Sequence, residues 1–159
     1  MTISQREQAF LREAIELANH SVDIGGGPFG AVIVRDGEVI GRGHNRVTLD
    51  LDPTAHAEVQ AIRDTCRKLG DFSLQGCVLY ASCEPCPMCM AAIYWARIER
   101  VVFAASGEDA ARAGFDDRLI AREICQPYRE RSLPVERCAC EGHDSAFRKW
   151  MTLEEKTPY

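Results

Sequence analysis

No stretch of the 159-residue chain approaches the about 20 consecutive apolar residues that a bilayer crossing needs, so no spanning helix and no membrane partner are expected. The first residues, Met-Thr-Ile-Ser-Gln-Arg-Glu-Gln, lack the apolar core of a secretory signal, which makes the expected location cytoplasmic. Positive charge is in deficit: 19 Lys and Arg stand against 24 Asp and Glu, a net charge of -5. That balance weighs against gripping a long phosphate backbone, so no nucleic-acid partner is expected and a small, neutral or weakly charged substrate is favoured. Internal repeats, linkers and low-complexity segments are also missing, and the length suits one domain over residues 1–159 with a real core.

Cysteine is the residue in excess. There are eight, but disulfide scaffolds are usually shorter and loop-rich, and Cys66, Cys77 and Cys125 sit in apolar patterns where a reduced thiol packs as a small hydrophobe. The chain is organised around Ser82 to Arg97, Ser-Cys-Glu-Pro-Cys-Pro-Met-Cys-Met-Ala-Ala-Ile-Tyr-Trp-Ala-Arg. A strand-like run, Cys77 to Ala81, leads into it, and Met90 to Ala96 has the composition of a buried helix. Pro85 suits the helix entry, which places Cys86 and Cys89 at i and i+3 on one face of the first turn. A helix N-terminus favours thiolate over thiol, the form that binds a metal. His56, upstream, supplies a third ligand, leaving the fourth position of a tetrahedral zinc ion open to water, as catalytic zinc sites do.

The remaining pattern predicts the frame that carries these residues. Ser4-Gln5-Arg6-Glu7 reads as a capping box, and Phe10, Leu11, Ala14, Ile15, Leu17, Ala18 and Val22 give a broad buried helix face ended by Gly25-Gly26-Gly27. Asp36-Gly37 between two apolar runs, Phe29–Val34 and Glu38–Gly43, predicts an antiparallel hairpin. His44 to Pro53 reads as a polar loop, with Thr54 as N-cap of a helix carrying His56, Glu58, Val59, Ile62, Cys66 and Leu69. A strand over Arg100–Ala105, a short helix after Gly107, a helix around Leu119–Ile124, a strand over Val135–Cys140 and a final helix capped by Asp144 or Ser145 follow. Phe147 and Trp150 are expected in its core-facing side. Alternating helices and strands predict an α/β fold with a mixed sheet and helices on both faces.

Each chemical motif has a plainer reading. His-x-Glu alone is common on solvated helices, and Cys-x-x-Cys alone could be redox, structural zinc or core packing. Cys83-Glu84-Pro85-Cys86 is a second Cys-x-x-Cys, in which Cys83 reads as a loop thiol beside the site. Cys138, Cys140 and His143 form a second possible cluster, but strand alternation puts Cys138 and Cys140 on one face, which packing alone explains, and with no fourth ligand in view a second zinc is not expected.

Together, His56-Ala57-Glu58 and Pro85-Cys86-x-x-Cys89 match the H-x-E…P-C-x-x-C signature of zinc nucleobase deaminases. The chain resembles the cytidine deaminase superfamily and, within it, the bacterial guanine deaminases. The likeness rests on Gly26–Val32, Asn45, Asp52–Val59, Ser82–Cys89, Ala92–Arg97, Ala113–Asp117 and Tyr159. It implies a three-layer α/β/α sandwich around a mixed five-stranded sheet. It also implies a homodimer that exchanges its C-terminal segments, about residues 144–159, so that Tyr159 closes the partner's site.

For activity, the resemblance implies zinc-dependent hydrolysis of guanine, a purine base, with water to xanthine and ammonia. Glu58 would move protons among water, ring nitrogen and leaving amine, with Asp117 as a second shuttle. Asn45 would offer a donor and an acceptor to the base edge, and Phe29 and Trp95 would stack on it. The plainer roles are a loop cap for Asn45, helix N-terminal charge for Asp116-Asp117, core packing for the aromatics and a frayed end for Tyr159. Rival readings are deaminases of guanosine, cytosine or ammeline, a tRNA adenosine deaminase, and a non-catalytic zinc-fold subunit.

Overall fold

A computed structural model describes residues 3–159. The chain falls into two units, residues 1–119 and 120–159, with the division inside one helix.

The first unit is built on a four-stranded sheet. Helix α1 (Gln5–Asp23) is followed by β1 (Gly30–Arg35), β2 (Glu38–His44), a one-turn helix α2 (Val47–Asp50), α3 (Ala57–Leu69), β3 (Val78–Cys83), α4 (Pro87–Trp95), β4 (Arg100–Ala105) and α5 (Gly107–Arg112). The strand order is β2-β1-β3-β4, antiparallel except for the parallel β3–β4 pair. Alternation along β1 sorts the two cores. Ala31 and Ile33 face Ala57, Ala61, Leu79 and Ile93 on the side of α3 and α4, whereas Val32 and Val34 face Phe10, Leu11 and Leu17 of α1. The three-layer arrangement follows from central strands whose residues 30–34 and 78–81 are apolar on both faces apart from the Tyr80 hydroxyl, since both faces must then be covered.

The capping box forms as the sequence predicts. Ser4 Oγ accepts the Glu7 N–H, and Glu7 Oε2 accepts the Ser4 N–H at 2.9 Å. The buried stripe of α1 is narrower than expected: Ala14, Ala18 and Ser21 are buried, while Ile15 and Val22 are exposed, because small residues let the helix lie close on β1. The hairpin turn has positive φ at both Asp36 (53°) and Gly37 (78°), the conformation that matches strand twist. At Gly43 a β-carbon would overlap the Ala57 carbonyl and the Ala61 nitrogen, so glycine there brings the first turn of α3 directly against β2.

Glu7 also faces Tyr80 and forms an ion pair with Arg100 of β4, tying α1 across the sheet. Arg100, and then the Ser4 cap, hold the Glu7 carboxyl at about 2, below its ordinary 4.5. A depressed carboxylate stabilises the fold fully above its unfolded pKa, and that contribution disappears as pH falls from there through the folded value. Glu7→Gln is therefore expected to flatten the acid limb of a stability–pH curve between about pH 4.5 and 2. Urea midpoints that shift equally at pH 7 and pH 2 would contradict this.

Several expectations give way to the structure. The sheet has four strands rather than five: residues 135–140 are irregular, and Cys138 and Cys140 are exposed, so no neighbouring strand pairs with that segment. The polar loop after His44 contains α2. Thr54 is not the cap of α3: its N–H and hydroxyl bond Asp52 Oδ1, and His56, in extended conformation, is the N-cap. Likewise Pro87, not Pro85, occupies the first position of α4, and Cys86 is its N-cap. Helix α4 buries only Cys89 and Ile93 and leaves Tyr94 and Trp95 exposed.

The second unit continues α6 (Arg118–Cys125) into a 3-10 turn, Tyr128–Glu130, and ends with α7 (Ser145–Thr152). Arg131 fastens the turn by donating to the carbonyls of Gln126 and Ile124 and lying over the Tyr128 ring. Phe147 is 71% and Trp150 41% exposed, against the expected core role, and Cys125 is exposed too. An eight-residue helix with an apolar stripe has too few neighbours in its own short unit to cover that stripe. No helix among the described residues is long and apolar enough to cross a membrane.

Candidate metal centre and substrate pocket

Two helix starts make the site. His56 precedes α3 and Cys86 precedes α4, both as N-caps, and Cys89 lies in the first turn of α4. An N-cap residue is extended while its successor is helical, so its side chain projects from the helix end rather than along the barrel of the helix. His56 Nδ1 thus lies 3.5 Å from Cys86 Sγ and 3.5 Å from Cys89 Sγ. Ligands about 2.0–2.1 and 2.3 Å from one ion at the tetrahedral angle stand about 3.6 Å apart, so this spacing is that of a zinc tetrahedron's edges. Among the described residues these three form the one group of metal-ligating side chains.

Electrostatics agree with the donor chemistry. Hydrogen bonding from Cys89 and then from His56 lowers the Cys86 thiol to about 4. The Cys86 thiolate in turn raises His56, and the Cys86 bond, then burial, push Cys89 up. A dication among them would hold both sulfurs as thiolates.

Glu58, in the first turn of α3, is 7% exposed. Cys89 Sγ donates to its Oε2 at 3.4 Å, and burial raises its carboxyl above the ordinary range. A buried carboxyl two residues from a ligand is the group a proton-transfer site needs.

These groups open on a cavity of about 490 Å³, lined by Phe29, Asn45, His56, Glu58, Cys86 and Asp117 among others. Of the residues singled out in the sequence, Trp95 does not line it: it sits at the end of α4, 65% exposed. Tyr159 ends the second unit and is 74% exposed. Cys83 closes β3, buried, and donates to the Ser106 carbonyl at 3.5 Å, outside the ligand group.

Among the lining residues with no site role assigned from the sequence, Phe115 and Glu84 make specific contacts. Phe115 meets Phe29 edge-on, with ring centroids 5.0 Å apart, and makes the apolar wall. Glu84 Oε2 accepts the Gly107 N–H at 2.9 Å and ties the ligand loop to the start of α5. Both lie inside the quoted signatures, each two places from a residue that was assigned, Asp117 and Cys86.

Residues 4–105 match the family described as the cytidine and deoxycytidylate deaminase zinc-binding region. The chain belongs to that family. It is 52% identical over 153 residues to the guanine deaminase of Bacillus subtilis, covering 96% of this chain and 98% of that one. The crystal structure of a guanine deaminase from Bacillus subtilis superposes with a TM-score of 0.93 at 50% identity, over 99% of both chains. A tRNA-specific adenosine deaminase of Aquifex aeolicus is 46% identical over 99 residues, 62% of this chain and 66% of that one. This deaminase family is a zinc-binding one, and the donor set above fits the ion. A deaminase on an α/β sheet is what the family signature in the sequence implies, and the fold agrees.

Proposed function

We propose that this chain is a zinc-dependent hydrolase that deaminates guanine to xanthine and ammonia. The observation that carries the reading is Glu58: a buried carboxyl that opens on the same cavity as the His56–Cys86–Cys89 donor set. The likeness to a guanine deaminase over nearly all of both chains supports guanine as the base.

Zinc, held by His56, Cys86 and Cys89, supplies Lewis acidity that brings the pKa of water from about 9 beside the aqueous ion toward about 7. Glu58 takes a proton from the water that attacks C2 and passes it to the adjacent ring nitrogen. It then helps protonate the exocyclic amine, whose C–N bond breaks to release ammonia. Asp117 serves the leaving amine, a role that its place in the cavity lining supports. Phe29, with Phe115 against it, offers the flat base an apolar face. Asn45 binds the base edge.

The reading includes a homodimer in which residues 144–159 are exchanged and Tyr159 closes the partner's site. The exposed apolar side chains of α7, Phe147, Trp150 and Met151, support it. Eight free thiols support a reducing, cytoplasmic setting.

Zinc-loaded protein incubated with guanine, guanosine, adenine, cytosine and ammeline is expected to release ammonia from guanine. Light scattering should give twice the chain mass. Release only from another base would remove guanine while keeping the zinc chemistry. Silence on all five, with zinc present, would overturn the reading.

A further inference from the structure

Ser21 is fully buried on α1, yet it is polar and no step above uses it. Its Oγ donates to the Asn45 backbone carbonyl at 2.9 Å, 24 residues away. Asn45, itself 5% exposed, is held at three further points. Its N–H donates to the Phe29 carbonyl at 2.9 Å, and its Oδ1 accepts the Gly27 N–H at 3.3 Å and the Val47 N–H at 3.2 Å. The knot is tight: the Gly26 N–H donates to the Ser21 carbonyl at 2.7 Å, and a β-carbon on Gly26 would overlap both Ser21 Oγ and the Asn45 carbonyl.

This arrangement decides what the amide can offer. A primary amide has an oxygen that accepts and a nitrogen that donates two protons, and its orientation follows from its partners. Here two backbone N–H groups use the oxygen. Nδ2 has no protein partner, and no fully buried side-chain nitrogen or oxygen among the described residues goes unbonded, so Nδ2 opens on the cavity that Asn45 lines. Rotating the amide would set its NH2 against two N–H donors.

We infer that the Gly27 and Val47 N–H groups fix the Asn45 amide as a donor-only reader of its substrate, and that Ser21 is the positioning residue that holds the Asn45 backbone from which the amide projects. The base edge facing Asn45 must therefore present an acceptor, an oxo oxygen or an unprotonated ring nitrogen, and a donor there is rejected. This deepens the functional reading and rests on it.

The test compares guanine with bases in which one acceptor at a time is removed or exchanged for a donor: 2-aminopurine and 2,6-diaminopurine at C6, and 7-deazaguanine at N7. The wild-type protein should discriminate against one position of the series by about tenfold or more in kcat/KM, the scale of one neutral hydrogen bond. Asn45→Ala should erase that discrimination, and Ser21→Ala should reduce it severalfold, with Ser21→Cys, a weaker donor, between.

The ratio for two substrates does not depend on how much of a variant is folded, so a merely structural role for Ser21 leaves it at the wild-type value. That outcome, or equal use of the whole series by wild type, overturns the inference. If wild type turns over neither guanine nor any of the analogues, the functional reading fails instead. Calorimetric affinities of zinc-loaded protein for the same bases then decide the Asn45 assignment by the same ratio.

Discussion

Glu58→Gln keeps its zinc and loses about 10²–10⁴ of its turnover, the range a positioned acid–base group contributes. The substitution is nearly isosteric, so the packing of the first turn of α3 should survive. The amide has no proton to give and none to take at neutral pH. Burial makes the native group useful: it raises the carboxyl from its ordinary range toward the values at which a base can also act as an acid. Metal content by atomic absorption should match wild type, and guanine should still bind. Turnover within tenfold of wild type would remove the proton-transfer role, and loss of zinc would make Glu58 a determinant of the metal site instead.

Cys86→Ala should lose both zinc and activity. Three protein ligands are the minimum for an open tetrahedral site, and removing one costs more than the about 10–100-fold that loss of an outer-shell partner costs. Cys83→Ala is the informative contrast. Cys83 Sγ bonds the Ser106 carbonyl and lies outside the donor group, so the variant should bind zinc with wild-type stoichiometry. Dialysis against a chelator followed by zinc readdition should restore wild type and Cys83→Ala, and leave Cys86→Ala inactive. Equal zinc loss in the two cysteine variants would show that the ligand set is wrong.

Periodicity alone reveals α1, the hairpin and β4, because each rests on local rules: a capping box, an Asp36-Gly37 turn with both φ positive, and an apolar run bounded by charge. It misplaces the starts of α3 and α4 by one or two residues. The local signals there, Thr54 and Pro85, are ordinary helix-entry residues, whereas the observed caps, His56 and Cys86, lack the side-chain oxygen that marks a cap. That small displacement matters, because it turns two ligands from helix-face residues into helix-end residues. The expected burial of Phe147 and Trp150 fails for a different reason. An apolar stripe states that a face wants cover, not that its own chain supplies it.

The donor set and the acid beside it were legible in the one-dimensional order of His56, Glu58, Cys86 and Cys89, since zinc chemistry restricts residue types and a helical turn restricts spacing. The 3.5 Å spacing that makes them one centre is a property of the fold: β2, through the bare backbone at Gly43, sets the height of α3, and β3 delivers α4 beside it. Only the tertiary structure decided which end of the Asn45 amide faces the cavity, because the N–H groups that take its oxygen, those of Gly27 and Val47, come from separate segments, while Ser21 and Phe29 hold its backbone. Local sequence rules choose residue types and helical spacing. Hydrogen-bond orientation is settled by whichever donors the packed chain brings within reach.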